Sequence, residues 1–139
     1  MPVSHLDHFA VLTDDAAATA EFYSFTLGLE FGPRPNFSVA GVWLYCNGLP
    51  LVHLVERGKP ANAEGPLDHV AFSGSGLTDF VGRLKSKGVA YDLRHFPGGS
   101  LYDGAWQLFF RDPNGVRIEV DFPASEPHPI SEGELATAN

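Results

Sequence analysis

Residues 6–11 read LDHFAV and residues 67–72 read LDHVAF, so the chain writes nearly the same hexapeptide twice, each time with a histidine two places after the leucine. Two copies spaced this far apart are too few and too distant for a solenoid, so they point to one domain assembled from two related modules. A chain of 139 residues, 44% hydrophobic and 12% aromatic, can bury one substantial core, in keeping with a single compact domain.

The rest of each copy follows the same order. Residues 4–12 read as a strand bounded by the polar run TDD. The segment after it reads as a helix, capped by Asp14 or Asp15 and stopped by Gly28, with Ala18, Phe22, Phe25 and Leu29 as its apolar face. Strand-like pieces follow at roughly 29–37, 39–46 and 49–57, the last two joined by Asn47-Gly48, a pair that accepts positive φ and signals a hairpin. The stretch ERGKPANAEGP is rich in Gly and Pro and reads as a connection, with the linker proper at 58–66. The second copy then opens with LDHVAF and continues into the amphipathic helix LTDFVGRLKSKG, with Leu77, Phe80, Val81 and Leu84 on one face and Gly88 as its stop. Strands at about 90–97, 105–111 and 116–122 complete it, the last pair joined by the turn DPNG. The expected organisation is therefore one domain over 1–122, with a βαβββ module at 4–57 and a second at 67–122, and a loose tail over 123–139.

A formal charge of -8 argues against nucleic acid or an anionic membrane surface as partner, because both require clustered Lys and Arg. No apolar run approaches the length needed to span a bilayer, and no basic-then-apolar leader opens the chain, so a cytoplasmic location is expected. Cys46 is the single cysteine, which rules out an internal disulfide, and its apolar setting VWLYC reads as an inert thiol.

Strand alternation selects the residues that share a face. In VRIEVDF it sets Val116, Ile118, Val120 and Phe122 against a helix and turns Arg117, Glu119 and Asp121 the other way. In LVHLVE it groups Leu51, His53 and Val55. His8, His53, His69 and Glu119 thus occupy matching places in the two modules. A glutamate on an inward sheet face is costly unless paired or metal-bound, and imidazoles are at hand to meet it. Two neutral imidazoles and one carboxylate suit a divalent cation with open coordination positions.

These segments, together with FYSFTLGLEF and the closing FRDPNGVRIEV, resemble the glyoxalase, bleomycin-resistance and extradiol-dioxygenase superfamily, also called vicinal oxygen chelate proteins, over residues 4 to about 122. The resemblance implies an α+β fold in which two βαβββ modules form a half-open, eight-stranded, barrel-like cleft. It implies a metal held by His8, His69 and Glu119, with Fe2+ or Mn2+ expected first and Zn2+, Ni2+ or Co2+ as alternatives. His53 falls where some members add a fourth ligand; unligated, it could act as an acid or base, or be a buried histidine bonded to a backbone carbonyl.

The family's shared device is a metal that takes two neighbouring oxygens of a small-molecule substrate and stabilises the resulting anion. The two-His, one-Glu set points to a dioxygenase-like enzyme. Phe109 departs from that pattern, since ring-cleaving members usually carry a Tyr there. A glyoxalase I-like lyase or isomerase is the alternative, from which His53 departs, and a non-enzymatic drug-binding protein is the third reading. Small members often dimerise, so a homodimer is expected. Trp43, Tyr45, Trp106 and Phe109 are candidates to line a pocket, and Arg34, Arg94, Arg111 and Arg117 to receive a substrate carboxylate, against the plainer readings of core aromatics and solvated charge. The segment 96–105, FPGGSLYDGA, reads as a mouth loop or a plain connection, with Asp103 as a polar residue of it; His5, His95 and His128 read as surface histidines.

Overall fold

The computed structural model describes residues 2–62, 64–95 and 104–129. The chain forms two compact units, Met1–Ala63 and Glu64–Asn139. The first contains β1 (Phe9–Leu12), α1 (Ala16–Leu27), β2 (Glu30–Gly32), β3 (Gly41–Cys46) and β4 (Leu49–Val55). The second repeats the series as β5 (Val70–Ser73), α2 (Leu77–Ser86), β6 (Tyr91–His95), β7 (Trp106–Arg111) and β8 (Arg117–Phe122). Strand order is β1-β4-β3-β2 in one sheet and β5-β8-β7-β6 in the other. In each the opening strand runs parallel to the closing strand and the remaining pairs are antiparallel. The fold is thus α+β and built of two βαβββ modules, with the eight strands hydrogen-bonded as two sheets of four and not as one closed barrel.

Local chemistry explains most of these boundaries. Asp15 caps α1 by accepting from the Ala18 N–H at 3.0 Å. Gly28 ends it at φ 73, a conformation that a side chain would strain. β2 stops at Gly32, short of the expected 37, because Pro33 and Pro35 follow and neither can donate to a ladder. Asn47 and Gly48 both take positive φ, 51 and 80, as the hairpin between β3 and β4 requires. Between β7 and β8 the Asp112 Oδ1 accepts from the N–H groups of Asn114 and Val116, each at 2.8 Å, which fixes the DPNG turn.

The two helices differ in how their buried face is made. In α2 it is Leu77, Phe80, Val81 and Leu84, as the spacing indicates, with the Phe80 ring against those of Phe110 and Phe122 at 5.8 and 5.6 Å. In α1 the expected face is corrected: Ala16, Thr19, Ala20, Tyr23 and Thr26 are buried, while Ala18 and Phe25 are exposed. Two threonines can face inward because their hydroxyls are satisfied locally. Thr19 shares a 3.0 Å bond with the Thr13 hydroxyl, and Thr26 donates to the Phe22 carbonyl at 2.7 Å.

Helix α2 starts at Gly76, which has no side chain to cap it. The Glu126 carboxylate serves instead, accepting from the N–H groups of Gly76 at 3.1 Å and Leu77 at 2.9 Å. Trp106 Nε1 donates to the Glu126 carbonyl at 3.3 Å, so the tail expected from residue 123 begins as a segment tied to β7 and α2. Residues 130–139, and positions 96–103 of the expected mouth loop with Asp103, lie outside the described residues. No helix among the described residues is long and apolar enough to cross a membrane. Replacing the remote cap, Glu126→Ala, should lower unfolding stability by about 1 kcal/mol, the usual worth of an N-cap, with Glu126→Gln recovering part of it. Urea midpoints followed by circular dichroism provide the check, and an unchanged midpoint for Glu126→Ala would refute the cap.

Candidate functional site

His8 and His69 stand one residue before β1 and β5, not within them as the expected strand over 4–12 had it. Each is held by the aspartate that precedes it. Asp7 Oδ1 lies 2.8 Å from His8 Nδ1, and Asp68 Oδ2 lies 2.7 Å from His69 Nδ1. A proton on Nδ1 is fixed by such a bond, which leaves the lone pair on Nε2. The bond to its histidine is also the main reason that each aspartate titrates below the ordinary carboxylate range, Arg117 adding to the effect at Asp68. These two aspartates are functional candidates absent from the sequence reading, although the signal was present: the D of LDH is repeated as faithfully as the H.

In the first unit the parallel ladder sets Ala10 beside His53, and the antiparallel one sets Trp43 opposite it. His53 is consequently the middle ring of a stack, 3.9 Å from His8 at 14° and 3.9 Å from Trp43 at 10°. Its Nε2 lies 3.0 Å from the Pro50 carbonyl, so the structure adopts the reading of a histidine bonded to backbone. Burial first, then His8, lowers the His53 pKa, and the ring is neutral at pH 7. The stack also constrains coordination. Imidazole lone pairs lie in the ring plane, so two stacked rings do not direct theirs at one point, and His8 and His53 would not hold one cation together in this arrangement.

The second unit fills the equivalent place with a carboxylate, since Ala71 pairs with Glu119 as Ala10 pairs with His53. Glu119 is 5% exposed and Phe109 lies opposite it on β7. Its Oε2 is 2.9 Å from His69 Nε2, and its Oε1 accepts from Gln107 Nε2 at 3.0 Å. Asp121 shares this face; burial, then the neighbouring Glu119, push its pKa up to about 7, and its Oδ1 is buried with no hydrogen-bond partner among the described residues. A buried carboxylate facing the unprotonated nitrogen of a histidine, beside an orphaned oxygen, is unfavourable without a cation or proton between them. The donor set of imidazole nitrogen and carboxylate oxygen therefore fits a divalent ion. Among the described residues neither unit by itself gathers three His, Cys, Asp or Glu side chains as a metal site: the first brings together His8 and His53, the second His69 and Glu119.

Other candidates separate into framework and face. Trp106 is buried and bonded to Glu126, Tyr45 donates its hydroxyl to the Pro33 carbonyl, and Arg34 donates to the Val39 carbonyl, so these three hold structure. His95 and His128 both lie edge-on to Trp106, at 3.8 and 4.8 Å. Phe109 is different, since it meets the His69 ring at 6.0 Å and carries the Arg117 guanidinium over its own ring at 4.2 Å.

Comparison with known proteins bears on this arrangement. The model of the Glyoxalase/Bleomycin resistance protein/Dioxygenase superfamily matches residues 5–120. A curated Arabidopsis thaliana protein named Glyoxylase I 4 is 28% identical over 141 residues, covering 96% of this chain and 79% of its own. Among solved structures, an E126Q mutant of the fosfomycin resistance protein FosX from Listeria monocytogenes, complexed with Mn(II) and 1S,2S-dihydroxypropylphosphonic acid, shares the fold with a TM-score of 0.70 at 17% identity, covering 87% of this chain and 93% of that one. The antibiotic binding protein TnmS3 from Streptomyces sp. CB03234 does so with a TM-score of 0.62 at 24% identity, covering 88% and 98%.

The ring contacts make a direct prediction. Long-range 1H–15N spectra should show the neutral rings of His8 and His69 protonated on Nδ1 and that of His53 on Nε2, and Asp7→Ala should shift His8 alone. His53 should titrate below the ordinary 6.5, so stability from its neutral form is present above pH 6.5 and lost as pH falls through the folded value. A His53 midpoint at or above 6.5 would contradict the stacked environment.

Proposed function

Because the chain belongs to the glyoxalase/bleomycin resistance protein/dioxygenase superfamily, we propose that it is a divalent-metal-dependent enzyme acting on a small molecule that presents two adjacent oxygens. His8 Nε2, His69 Nε2 and Glu119 are assigned as the ligands. The observation that carries this reading is the doubled Asp-His pair, which leaves Nε2 with its lone pair in both modules, with the buried Glu119 already 2.9 Å from one of them. When bound, the ion supplies Lewis acidity toward the substrate oxygens.

The chain's own residues have separate tasks. Asp7 and Asp68 fix the tautomer and orientation of the ligand rings, and Gln107 orients Glu119 by donating to Oε1. His53 is assigned as proton acceptor from the substrate through Nδ1, the nitrogen that its bond to Pro50 leaves with a lone pair. Because the rings of His8 and His53 are stacked, His8, His69 and Glu119 would hold the ion and His53 would not, which would leave positions for substrate. That openness supports a dioxygenase-like reaction on Fe2+ or Mn2+. The second reading, a lyase or isomerase of glyoxalase I type, draws on the Arabidopsis relative.

Metal analysis of untagged protein tests the common premise. One divalent ion per chain is expected in wild type, with loss in His69→Ala and Glu119→Ala; retention of metal by that pair would refute the assignment. His53→Ala should keep its metal and lose turnover, and Asp68→Asn should weaken metal affinity by about 10- to 100-fold. Assays of diols and thiol adducts with and without O2 then separate the readings, since only the oxygenase falls silent without O2. A homodimer is proposed as the working assembly, and sedimentation of a 15.0 kDa species at micromolar concentration would overturn it.

A further inference from the structure

The second unit contains a cavity of about 430 Å³ that the metal reading does not use. Its wall includes Val89, Tyr91, Asp92, Phe109, Arg111 and Arg117, so it opens where β6 begins and β7 turns into β8. The volume is of the order that holds a small organic ligand, and the wall combines apolar and aromatic surface with a few charged groups.

The charges are unevenly matched. The chain carries 9 Lys and Arg against 17 Asp and Glu, yet Arg111 and Arg117 are direct cross-strand partners on one face of this wall. Like charges directly opposite on a sheet are destabilising unless something offsets them. Asp92 does not do so, because it is paired with Arg94. Asp68 offers one oxygen to Arg117 NH1 at 2.9 Å, and it is exposed and already engaged with His69. Arg111 NH1 donates to the Gly115 carbonyl, and among the described residues Arg111 meets no carboxylate. Arg117 lies over the Phe109 ring at 4.2 Å, a contact that consumes no N–H donor.

We propose that this cavity binds a small organic anion, an apolar body bearing one carboxylate, with Arg111 and Arg117 holding the carboxylate and Phe109, Tyr91 and Val89 facing the body. The connection to chemistry runs through two contacts: Phe109 meets the His69 ring, and Arg117 holds the same Asp68 that fixes His69. The assignment of this anion as part of the substrate rests on the metal reading above; the anion site itself does not.

Benzoate and its uncharged isostere benzamide are the probes, titrated into wild type, Arg111→Gln, Arg111→Lys and Arg117→Gln while shifts of Phe109 and Tyr91 are followed by NMR and metal content is measured on the same samples. Benzoate should bind at least about tenfold more tightly than benzamide, Arg111→Gln and Arg117→Gln should each weaken benzoate by about tenfold, and Arg111→Lys should retain much of the binding, as expected for charge-assisted hydrogen bonds. Equal affinity for the two probes, absence of benzoate binding at millimolar concentration, or benzoate binding unchanged in both glutamine variants would overturn the proposal. Selective benzoate binding by protein that holds no metal would support the anion site and count against the metal reading alone.

Discussion

The parallel pairing of each module's first strand with its last is the constraint from which the rest of the site follows. β1 lies on β4 and β5 on β8, so a histidine at the start of a module is brought beside a residue more than forty positions later. Such a pairing cannot be made by a tight turn; it needs a crossover, here the helix and the intervening strands. The ladder therefore creates the same slot twice, next to Ala10 in one unit and next to Ala71 in the other. Sequence repetition at the hexapeptides is the visible trace of that geometry.

What fills the slot differs, and the difference is chemical. His53 in the first unit stacks on the His8 ring, which holds that ring in place without competing for its lone pair. Glu119 in the second meets the His69 nitrogen directly and is buried as it does so. One unit thus sets an imidazole beside a stacked imidazole, and the other sets an imidazole beside a buried carboxylate. The repeat is broken at this slot, where one copy has a histidine and the other a glutamate.

Much of this was legible in the sequence, and the exceptions have physical causes. The repeat, the Asn47-Gly48 hairpin, the Asp112 turn and the buried stripe of α2 are each set by local rules of period or backbone conformation. The α1 face was not readable from hydrophobicity, because Thr19 and Thr26 are buried with their hydroxyls satisfied while Phe25 remains exposed. The cap of α2 was invisible because its acceptor, Glu126, comes from about fifty residues downstream. Alternation and the repeat single out His8, His69 and Glu119 as candidates, whereas the bonds made by Asp7, Asp68 and Gln107 depend on side-chain directions that alternation alone does not specify.

The acidic balance of the chain also acquires a local meaning. In a protein with a charge of -8, an anionic ligand is opposed by the general field, and only a concentrated cationic feature can reverse it. Two arginines, Arg117 and Arg94, lie over the Phe109 ring, and Arg111 pairs across the strands with Arg117. Phe109 thereby takes a position that a tyrosine hydroxyl would make polar and uses it to organise charge. An aromatic ring without a hydroxyl attracts guanidinium groups through its face, a contact that uses no N–H donor, so the same residue that departs from the ring-cleaving pattern gathers the positive charge on which the proposed anion site depends.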